Sequence, residues 1–441
     1  MSTQDIKNTS LFAVDQASCM NSSEEQEART TPTVSPLTDA VPSGWLQMRN
    51  KDVFRYVSRP VGQKWSEFEL LTMGKAGVSI RDVESGKGKF PSSFDTYQEV
   101  RPGDFVFCLF DMDETPRTVG LSSIGGMITG AYDVFYADSD YERFLYYWYL
   151  AVDDLKAWKP YYRSLRKTIT RDMFMTMRVI VPPRSEAVRI SEYLDRESQR
   201  IEELKDSIRE QIDALEAYKR SLILRTVTKG LRPNAELIDS NVDWIGDIPA
   251  HWSLRRLGTL FRVRNERVSA LSFEPLSVTK NGILPQLEHV AKTDYVDNRK
   301  LVKAGDFVIN SRSDRRGSCG ISPRDGSVSL INTVLASRDS NEVPPYFGWL
   351  LHSEAFSDEF YRWGHGIVAD LWTTNWDDMR RIVVPVPSAE EQDEICNFLE
   401  NCTMDLSSTI RAKRRQLEVL ESYKQSLIYE AVTGKKEVPV Q

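Results

Sequence analysis

Apolar residues recur every seven positions at Leu194, Ile201, Ile208, Leu215 and Leu222. Ile190, Leu204 and Tyr218 form a companion seam, interrupted by Glu197 and Gln211. A heptad pattern held over this length predicts one helix across about 186–228, roughly 60–65 Å long at 1.5 Å per residue. Such a helix cannot bury its stripe inside a small domain and needs a long partner. A second helical segment closes the chain, with Leu399, Leu406, Leu420 and Leu427 on its seam and Lys413 as the exception. Ile410 and Leu417 lie one register off, which predicts a local adjustment of helix phase. Gln211 and Gln416 share one repeat position and are expected to pair across the two helices, fixing register at some cost in stability.

Ahead of each helix the pattern is mixed. Short β-type runs such as DFVFCLF (Asp104–Phe110) alternate with Gly/Pro/Asp turn signals, FLYYWYLAVDDLKAW (Phe144–Trp158) reads as a buried helix, and RVIVPP (Arg178–Pro183) as a strand stopped by prolines. The plan then repeats. IPAHW (Ile248–Trp252) answers VPSGW (Val41–Trp45), VKAGDFVIN (Val302–Asn310) answers VRPGDFVFC (Val100–Cys108), YFGWLLHS (Tyr346–Ser353) answers FLYYWYLA, and RIVVPVPS (Arg381–Ser388) answers RVIVPP. The helix ends repeat most closely: Glu216–Thr228 and Glu421–Thr433 are identical at eight of thirteen positions. The shared letters include Tyr, Ser, Val and Thr, which helical composition alone does not supply. The chain is a duplication, globular–helix–globular–helix.

The expected organisation is a disordered tail over 1–43, a globular domain over 44–184, a long helix over 185–230, a linker over 231–247, a second globular domain over 248–387, a second long helix over 388–434 and a short tail over 435–441. The fold class is α+β: two α/β domains in tandem, each followed by a long α-helix, the two helices pairing as an antiparallel coiled coil. A length of 441 residues suits two or three cores, and 41% hydrophobic with 27% charged residues suits a globular chain. No run of about eighteen apolar residues occurs, and the N-terminus lacks the basic-then-apolar layout of a secretory signal. Cys19, Cys108, Cys319, Cys396 and Cys402 form no CxxC pair, which predicts free thiols in a reducing cytoplasm and no zinc site. The net charge of −7 argues against nucleic acid until its distribution is read. The acidity sits in the tail and the two helices, whereas residues 251–320 hold thirteen Lys/Arg against seven Asp/Glu.

Catalytic signatures are missing. The sequence has no GxxxxGK[ST] phosphate loop, G-x-S-x-G elbow, HExxH motif or kinase set. NEVPPYF (Asn341–Phe347) has the letters of an Asn-Pro-Pro-Tyr methyltransferase motif, but its Asn is not adjacent to the prolines and no glycine-rich cofactor loop precedes it. The chain is expected not to be an enzyme.

WIGDIPAHWSLRRLG (Trp244–Gly258) resembles a phrase typical of the specificity subunits of Type I restriction-modification systems. The ordered layout over about residues 41–436 is similar to the same family: two target-recognition domains, each leading through a VPxPxxEQ-type segment into a long helix that ends in YKxSLIxxxVTxG. The second copy reads VPVPSAEEQDEICNFL (Val384–Leu399); the first, VPPRSEAVRISEYL (Val181–Leu194), is two residues shorter and lacks the EQ pair. The resemblance implies a non-catalytic, cytoplasmic subunit that reads a bipartite, asymmetric DNA site, one half per recognition domain. It implies that the paired helices set the spacer and dock two modification (adenine methyltransferase) subunits and, through these, restriction subunits. No cofactor is implied in this chain; S-adenosylmethionine, ATP and Mg²⁺ are implied on the partners. The competing reading is a coiled-coil adaptor presenting two protein-binding domains.

Chemistry alone selects the candidate DNA contacts. In the second domain Arg312, Arg315 and Arg316 in RSDRRGSCG suit phosphate contacts or bidentate reading of guanine, and Lys280 and Asn281 sit at an Asn-Gly turn. RRLGTLFRVRNER (Arg255–Arg267) and HGIVADLWTTNW (His365–Trp376) are further basic or aromatic stretches. In the first domain the candidates are Lys75, Arg81, Lys87, Lys89 and Arg117, with RSLRKTITR (Arg163–Arg171) as another basic run. The repeated Tyr218, Lys219, Ser221 and Tyr423, Lys424, Ser426 are the candidate contacts to two copies of one partner; helix–helix packing is the plainer alternative.

Overall fold

The computed structural model describes residues 35–38, 40–81, 93–163, 165–286, 298–340, 342–366 and 372–439. The chain divides into two compact units, one of Met1–Ser198 with Tyr423–Gln441 and one of Gln199–Ser422. Lys87 and Lys89 lie outside the described residues.

Among the described residues the first unit forms the strands β1 (Leu46–Arg49), β2 (Phe54–Val57), β3 (Leu71–Gly74), β4 (Gly77–Ile80), β5 (Gln98–Val100), β6 (Phe105–Phe107), β7 (Val119–Leu121), β8 (Gly126–Ile128), β9 (Asp133–Ala137) and β10 (Arg178–Val181). An antiparallel sheet runs in the order β2-β9-β6-β7, with the hairpin β3–β4 and the pairs β5–β8 and β1–β10 around it. Alternation along β6 sends Phe105 and Phe107 to one face and Val106 to the other, and all three are fully buried. On the first face Phe54, Phe135, Tyr149 and Phe174 pack edge-on or tilted against Phe107. On the second face Val106 packs with Leu71, Met73 and Val134. The helix Ser139–Asp154, capped by Asp138, supplies Tyr149.

The second unit repeats this plan with β11 (Leu237–Asp239), β12 (Asp247–Pro249), β13 (Ser253–Arg256), β14 (Phe261–Val263), β15 (Arg267–Val268), β16 (Leu276–Thr279), β17 (Gly282–Pro285), β18 (Arg299–Val302), β19 (Phe307–Asn310), β20 (Cys319–Ile321), β21 (Gly326–Val328), β22 (Asn332–Ser337) and β23 (Val383–Val386). Its sheet order, β14-β22-β19-β20, answers that of the first unit. The helix expected at YFGWLLHS is interrupted. Pro345–Leu350 forms one short helix, and Ser353 then caps a new one, Glu354–Arg362, by accepting from Phe356 N at 3.3 Å.

One turn explains why the GDF motif occurs twice. Gly103 and Gly305 take φ of +88° and +84°, a conformation that glycine adopts without strain. The following aspartate folds back onto its own turn: Asp104 Oδ2 accepts from Arg101 N at 2.7 Å, and Asp306 Oδ2 from Lys303 N at 2.8 Å. Each aspartate also takes an arginine, Arg59 at 2.5 Å and Arg264 at 2.7 Å. Burial pushes the Asp104 carboxyl above its ordinary range despite these partners.

The two long helices are Arg184–Lys229, slightly longer than the periodicity predicts, and Ala389–Val432, slightly shorter than the expected 388–434. Their ends show why the VTKG and VTGK motifs pair with tryptophans. Gly230 and Gly434 both take φ +68°; a Cβ on Gly230 would stand 3.1 Å from Trp252, and one on Gly434 2.6 Å from Pro42 and 3.4 Å from Trp45. In the first unit the end of the C-terminal helix therefore occupies the place that the end of the central helix takes in the second.

The seam differs from the heptad reading in one respect. Ile190, Leu194 and Ile201 are buried, but Leu204 and Tyr218 are about half exposed at 49% and 57%. The buried companion positions are Lys205 and Ile212, one residue further along. A straight helix drifts against a seven-residue repeat, and the lysine stem supplies apolar area while its ammonium finds partners. Lys205 Nζ reaches Glu421 at 2.6 Å and Glu202 at 3.0 Å, and Lys219 Nζ donates to Ser407 at 2.8 Å. The expected Gln211–Gln416 pair is not formed: Gln211 Oε1 accepts from Lys413 Nζ at 2.5 Å, and Gln416 is exposed. An ammonium at Lys413 offers the amide oxygen a charge-assisted bond that a second amide cannot match. From Lys205 to Lys219 the partners run from Glu421 back to Ser407.

Replacing Asp306, whose side chain is 1% exposed, by Ala is expected to lower stability. The loss is about 3 kcal/mol, because it strands the Arg264 guanidinium in the interior and unties the turn. A chemical denaturation midpoint checks this, and a loss below about 1 kcal/mol contradicts the role given to the pair.

Candidate nucleic-acid interface of the second unit

The loop between β19 and β20 carries Arg312, Arg315 and Arg316 and has a recess on each side of it. Strand β19 ends at Asn310, whose Oδ1 accepts from Arg312 N at 3.0 Å and so starts the turn. A single 3₁₀ turn over Ser313–Arg315 follows, and Gly317 at φ +73° leads into β20. Arg315 is the most exposed of the three arginines, 68% at its side chain, and stands 3.8 Å from Asp314. Arg316 is held by Asp358 at 2.7 Å and lies over the Tyr361 ring at 5.2 Å. Arg312 approaches Asp314 at 3.4 Å.

The recess on the Arg316 side has a volume of about 500 Å³. Lys219, Arg220 and Ile223 of the central helix line it, with Lys280 from the β16–β17 turn, Arg316, and His352 and Ser353 at the start of the helix Glu354–Arg362. Lys280 is placed there by backbone contact: a Cβ on Gly320 would stand 3.0 Å from the Gly282 Cα, so the hairpin packs directly on β20. Four cations thus meet two carboxylates, Glu354 near Arg220 at 3.4 Å and Asp358 on Arg316. Burial holds the His352 imidazole below its ordinary pKa, which keeps it neutral near pH 7. Asn281 is exposed at the turn, with its backbone N bonded to Thr279 Oγ1 at 3.1 Å.

The recess on the Arg312 side has a volume of about 560 Å³ and is lined by hydroxyl and amide groups, among them Asn265, Ser311, Thr333, Thr373 and Asn375, with Lys300 and Arg312. Leu330 and Ile331 stand at its rim, 37% and 44% exposed. Such a mixture of amides, hydroxyls, cations and an apolar tip can read base edges and hold phosphates at once.

In the first unit the hairpin β3–β4 packs on β7 as β16–β17 packs on β20; a Cβ on Gly120 would stand 2.7 Å from Val78. Lys75 is exposed at its turn, the place of Lys280 in the second unit, and Arg81 is half-buried at the end of β4. Arg117 is 18% exposed and bonds Asp154 at 2.6 Å and Asp153 at 3.3 Å, so its guanidinium is committed to the helix Ser139–Asp154. Tyr56 and Tyr136 lie exposed on paired neighbouring strands, and the Arg171 guanidinium sits 3.6 Å from the Tyr56 ring centroid.

Of the partner candidates, Tyr218 (57%), Tyr423 (49%), Ser221 and Ser426 are exposed, while Lys219 and Lys424 are half-buried. Helix packing therefore does not account for the two tyrosines. The sequence reading missed Arg220, Lys300 and His352, since nothing in one-dimensional spacing brings them to the Arg312–Arg316 loop, whereas Asn265 and Asn375 fall within the stretches Arg255–Arg267 and His365–Trp376 that it named. Among the described residues no group of His, Cys, Asp and Glu can hold a metal ion, and no helix is long and apolar enough to cross a membrane. Cys108, Cys319, Cys396 and Cys402 are free thiols.

No family model matches the sequence, and no curated protein matches it. Among solved structures, the chain is similar to one from a study of complex assembly and conformational transition of the type I R-M system, with a TM-score of 0.64 and 18% identity over 90% of this chain and 100% of that one. The HsdS subunit from Thermoanaerobacter tengcongensis aligns with a TM-score of 0.48 and 18% identity over 90% of this chain and 98% of that one. The S subunit of the M. genitalium Type-I restriction-modification system aligns with a TM-score of 0.35 and 12% identity over 92% and 100%. The first of these establishes a shared fold across nearly the whole of both chains.

Replacing Arg315 and Arg316 together by Ala is expected to weaken binding to duplex DNA and to flatten its dependence on salt, by about one unit of log–log slope for each phosphate no longer neutralised. Fluorescence anisotropy across a salt series reads both quantities. Unchanged affinity at every salt concentration removes this loop from the interface.

Proposed function

We propose that the chain is the DNA sequence-recognition subunit of a Type I restriction-modification complex. The observation that carries the reading is the duplication of one complete plan. The same four-strand order, the same Gly-Asp turn whose buried aspartate takes an arginine and the same glycine-capped long helix occur twice in one chain. The shared fold with a chain of a type I R-M structure supports it. Dimeric DNA readers fix the separation of half-sites by symmetry. A tandem duplication provides two readers in one chain, and because their loops differ, the half-sites need not be palindromic.

Each recognition domain reads one half of a bipartite, asymmetric site. The two helices pair as an antiparallel coiled coil, a reading supported by the opposed order of the Lys205–Glu421 and Lys219–Ser407 contacts, and this rod sets the spacer. Tyr218 and Tyr423, at equivalent exposed positions, dock two adenine methyltransferase subunits, through which the restriction subunits assemble. The chain itself does no chemistry: S-adenosylmethionine, ATP and Mg²⁺ act on the partners. The site of action is the cytoplasm.

Binding of the full chain to duplex DNA separates this reading from a protein-binding adaptor. The reading predicts association that weakens steeply as salt rises; no salt-dependent association favours the adaptor. A second measurement addresses docking. Tyr218→Ala and Tyr423→Ala, singly, are each expected to reduce co-purification of the methyltransferase from two copies towards one, with DNA binding by the free chain retained. Full stoichiometry in both variants contradicts the assignment.

A further inference from the structure

Strand β18 carries two neighbouring cations that no carboxylate among the described residues neutralises. Arg299 is 9% exposed and bonds Ser327, donating Nε to Oγ at 2.8 Å and Nη2 to the carbonyl at 3.0 Å. Lys300 is half-buried, points to the other face and donates Nζ to the Asn332 carbonyl at 2.6 Å. The residue directly opposite Lys300 on β15 is Arg267, so two like charges face one another across a strand pair, an arrangement that costs stability. Burial and the Arg267 charge together hold the Lys300 ammonium below its ordinary pKa. Among the described residues neither Lys300 nor Arg267 forms an ion pair. Folded chains rarely keep a half-buried ammonium beside a guanidinium without an anion, because the desolvation is unreturned.

Lys300 opens into the recess on the Arg312 side of the loop. The one carboxylate among the described lining residues, Asp377, lies 3.3 Å from Arg380 and is engaged there. Ser311, Thr333 and Asn375 add hydroxyl and amide groups around the ammonium, and the Leu330–Ile331 tip stands at the mouth.

The fold does not demand this lysine. In the first unit Val100 pairs with Gly126 as Val302 pairs with Gly326 in the second, so the strand register sets Gln98 in the place of Lys300. Gln98 is neutral and spends its Oε1 on Arg59 N at 2.8 Å. The same structural position is thus satisfied and uncharged in one repeat, and charged without a counter-ion among the described residues in the other.

We propose that Lys300, with Arg267 opposite it, is a backbone-phosphate clasp that seats a DNA strand in the recess beside Arg312, and that this clasp exists in the second repeat alone. The inference deepens the DNA-reading function proposed above and rests on it. A phosphodiester supplies an anion for the ammonium, while Arg312, Asn375 and the threonines reach the adjoining base edges. The two halves of the chain then hold their half-sites by different means, consistent with an asymmetric target.

The test uses the full-length chain and a fluorescein-labelled duplex. Lys300→Met is expected to weaken binding roughly three- to ten-fold near physiological salt and to reduce the salt slope by about one. Lys300→Arg is expected to restore the slope. Because the lysine is held against repulsion, Lys300→Met is also expected to leave the melting temperature unchanged or raised. A native salt slope in Lys300→Met, or a Lys300→Arg variant as weak as Lys300→Met, overturns the clasp while leaving DNA reading intact. A melting temperature lowered in Lys300→Met with DNA binding unchanged assigns the lysine to folding and overturns the clasp too. Inorganic phosphate that displaces the duplex at sub-millimolar concentration marks a free-anion site instead. Absence of any salt-dependent binding by the native chain overturns the DNA reading itself, and the clasp with it.

Discussion

A helix of 46 residues presents an apolar stripe longer than the domain at its root can cover. At 1.5 Å per residue it runs roughly 70 Å, about twice the width of a small domain. A stripe of that length calls for a cover of comparable length, and the chain carries a second helix of 44 residues. The interactions between them are not only apolar. Lys205, 7% exposed, reaches Glu421, and Lys219 reaches Ser407. Polar groups at buried seam positions weaken a helix pair but select one register among several, as the proposed spacer-setting rod would require.

The globular units divide their residues in a corresponding way. What repeats is scaffold: the positive-φ glycine, the aspartate that closes its turn and takes an arginine, and the helix-end glycine lying against a tryptophan. What differs is the loop after the GDF strand and its surroundings. In the first unit Arg117 is bound to Asp153 and Asp154, and Gln98 is satisfied by a backbone amide. In the second unit three arginines occupy a short exposed loop, and Lys300 faces Arg267. Divergence concentrated in one loop and its surroundings, over a scaffold held constant, fits the proposed reading of two different half-sites.

The duplication was legible because its signals are local. A GD pair at the start of a buried strand and a VTxG helix end each dictate backbone geometry, so they survive as letters. The long helices were legible from their period, apart from the seam beyond Ile201, where Lys205 and Ile212 occupy the buried positions and the heptad points one residue short. The candidate interface was half legible. Charge on a glycine-containing loop marked Arg312, Arg315 and Arg316, and the Asn-Gly turn marked Lys280. Whether an arginine is free or bound was not legible, since Arg117 meets its aspartates across 36 and 37 residues of sequence. Lys300 was invisible for the same reason, because its meaning comes from Arg267 on the next strand.

The central claim is that this chain tells a methyltransferase where to act. Its most direct test is to express the chain with the methyltransferase encoded beside it in a host free of such modification, and to map methylated bases by long-read sequencing. The account predicts a new bipartite, asymmetric motif with N6-methyladenine in both halves. No new motif, with both proteins soluble and co-purifying, contradicts it.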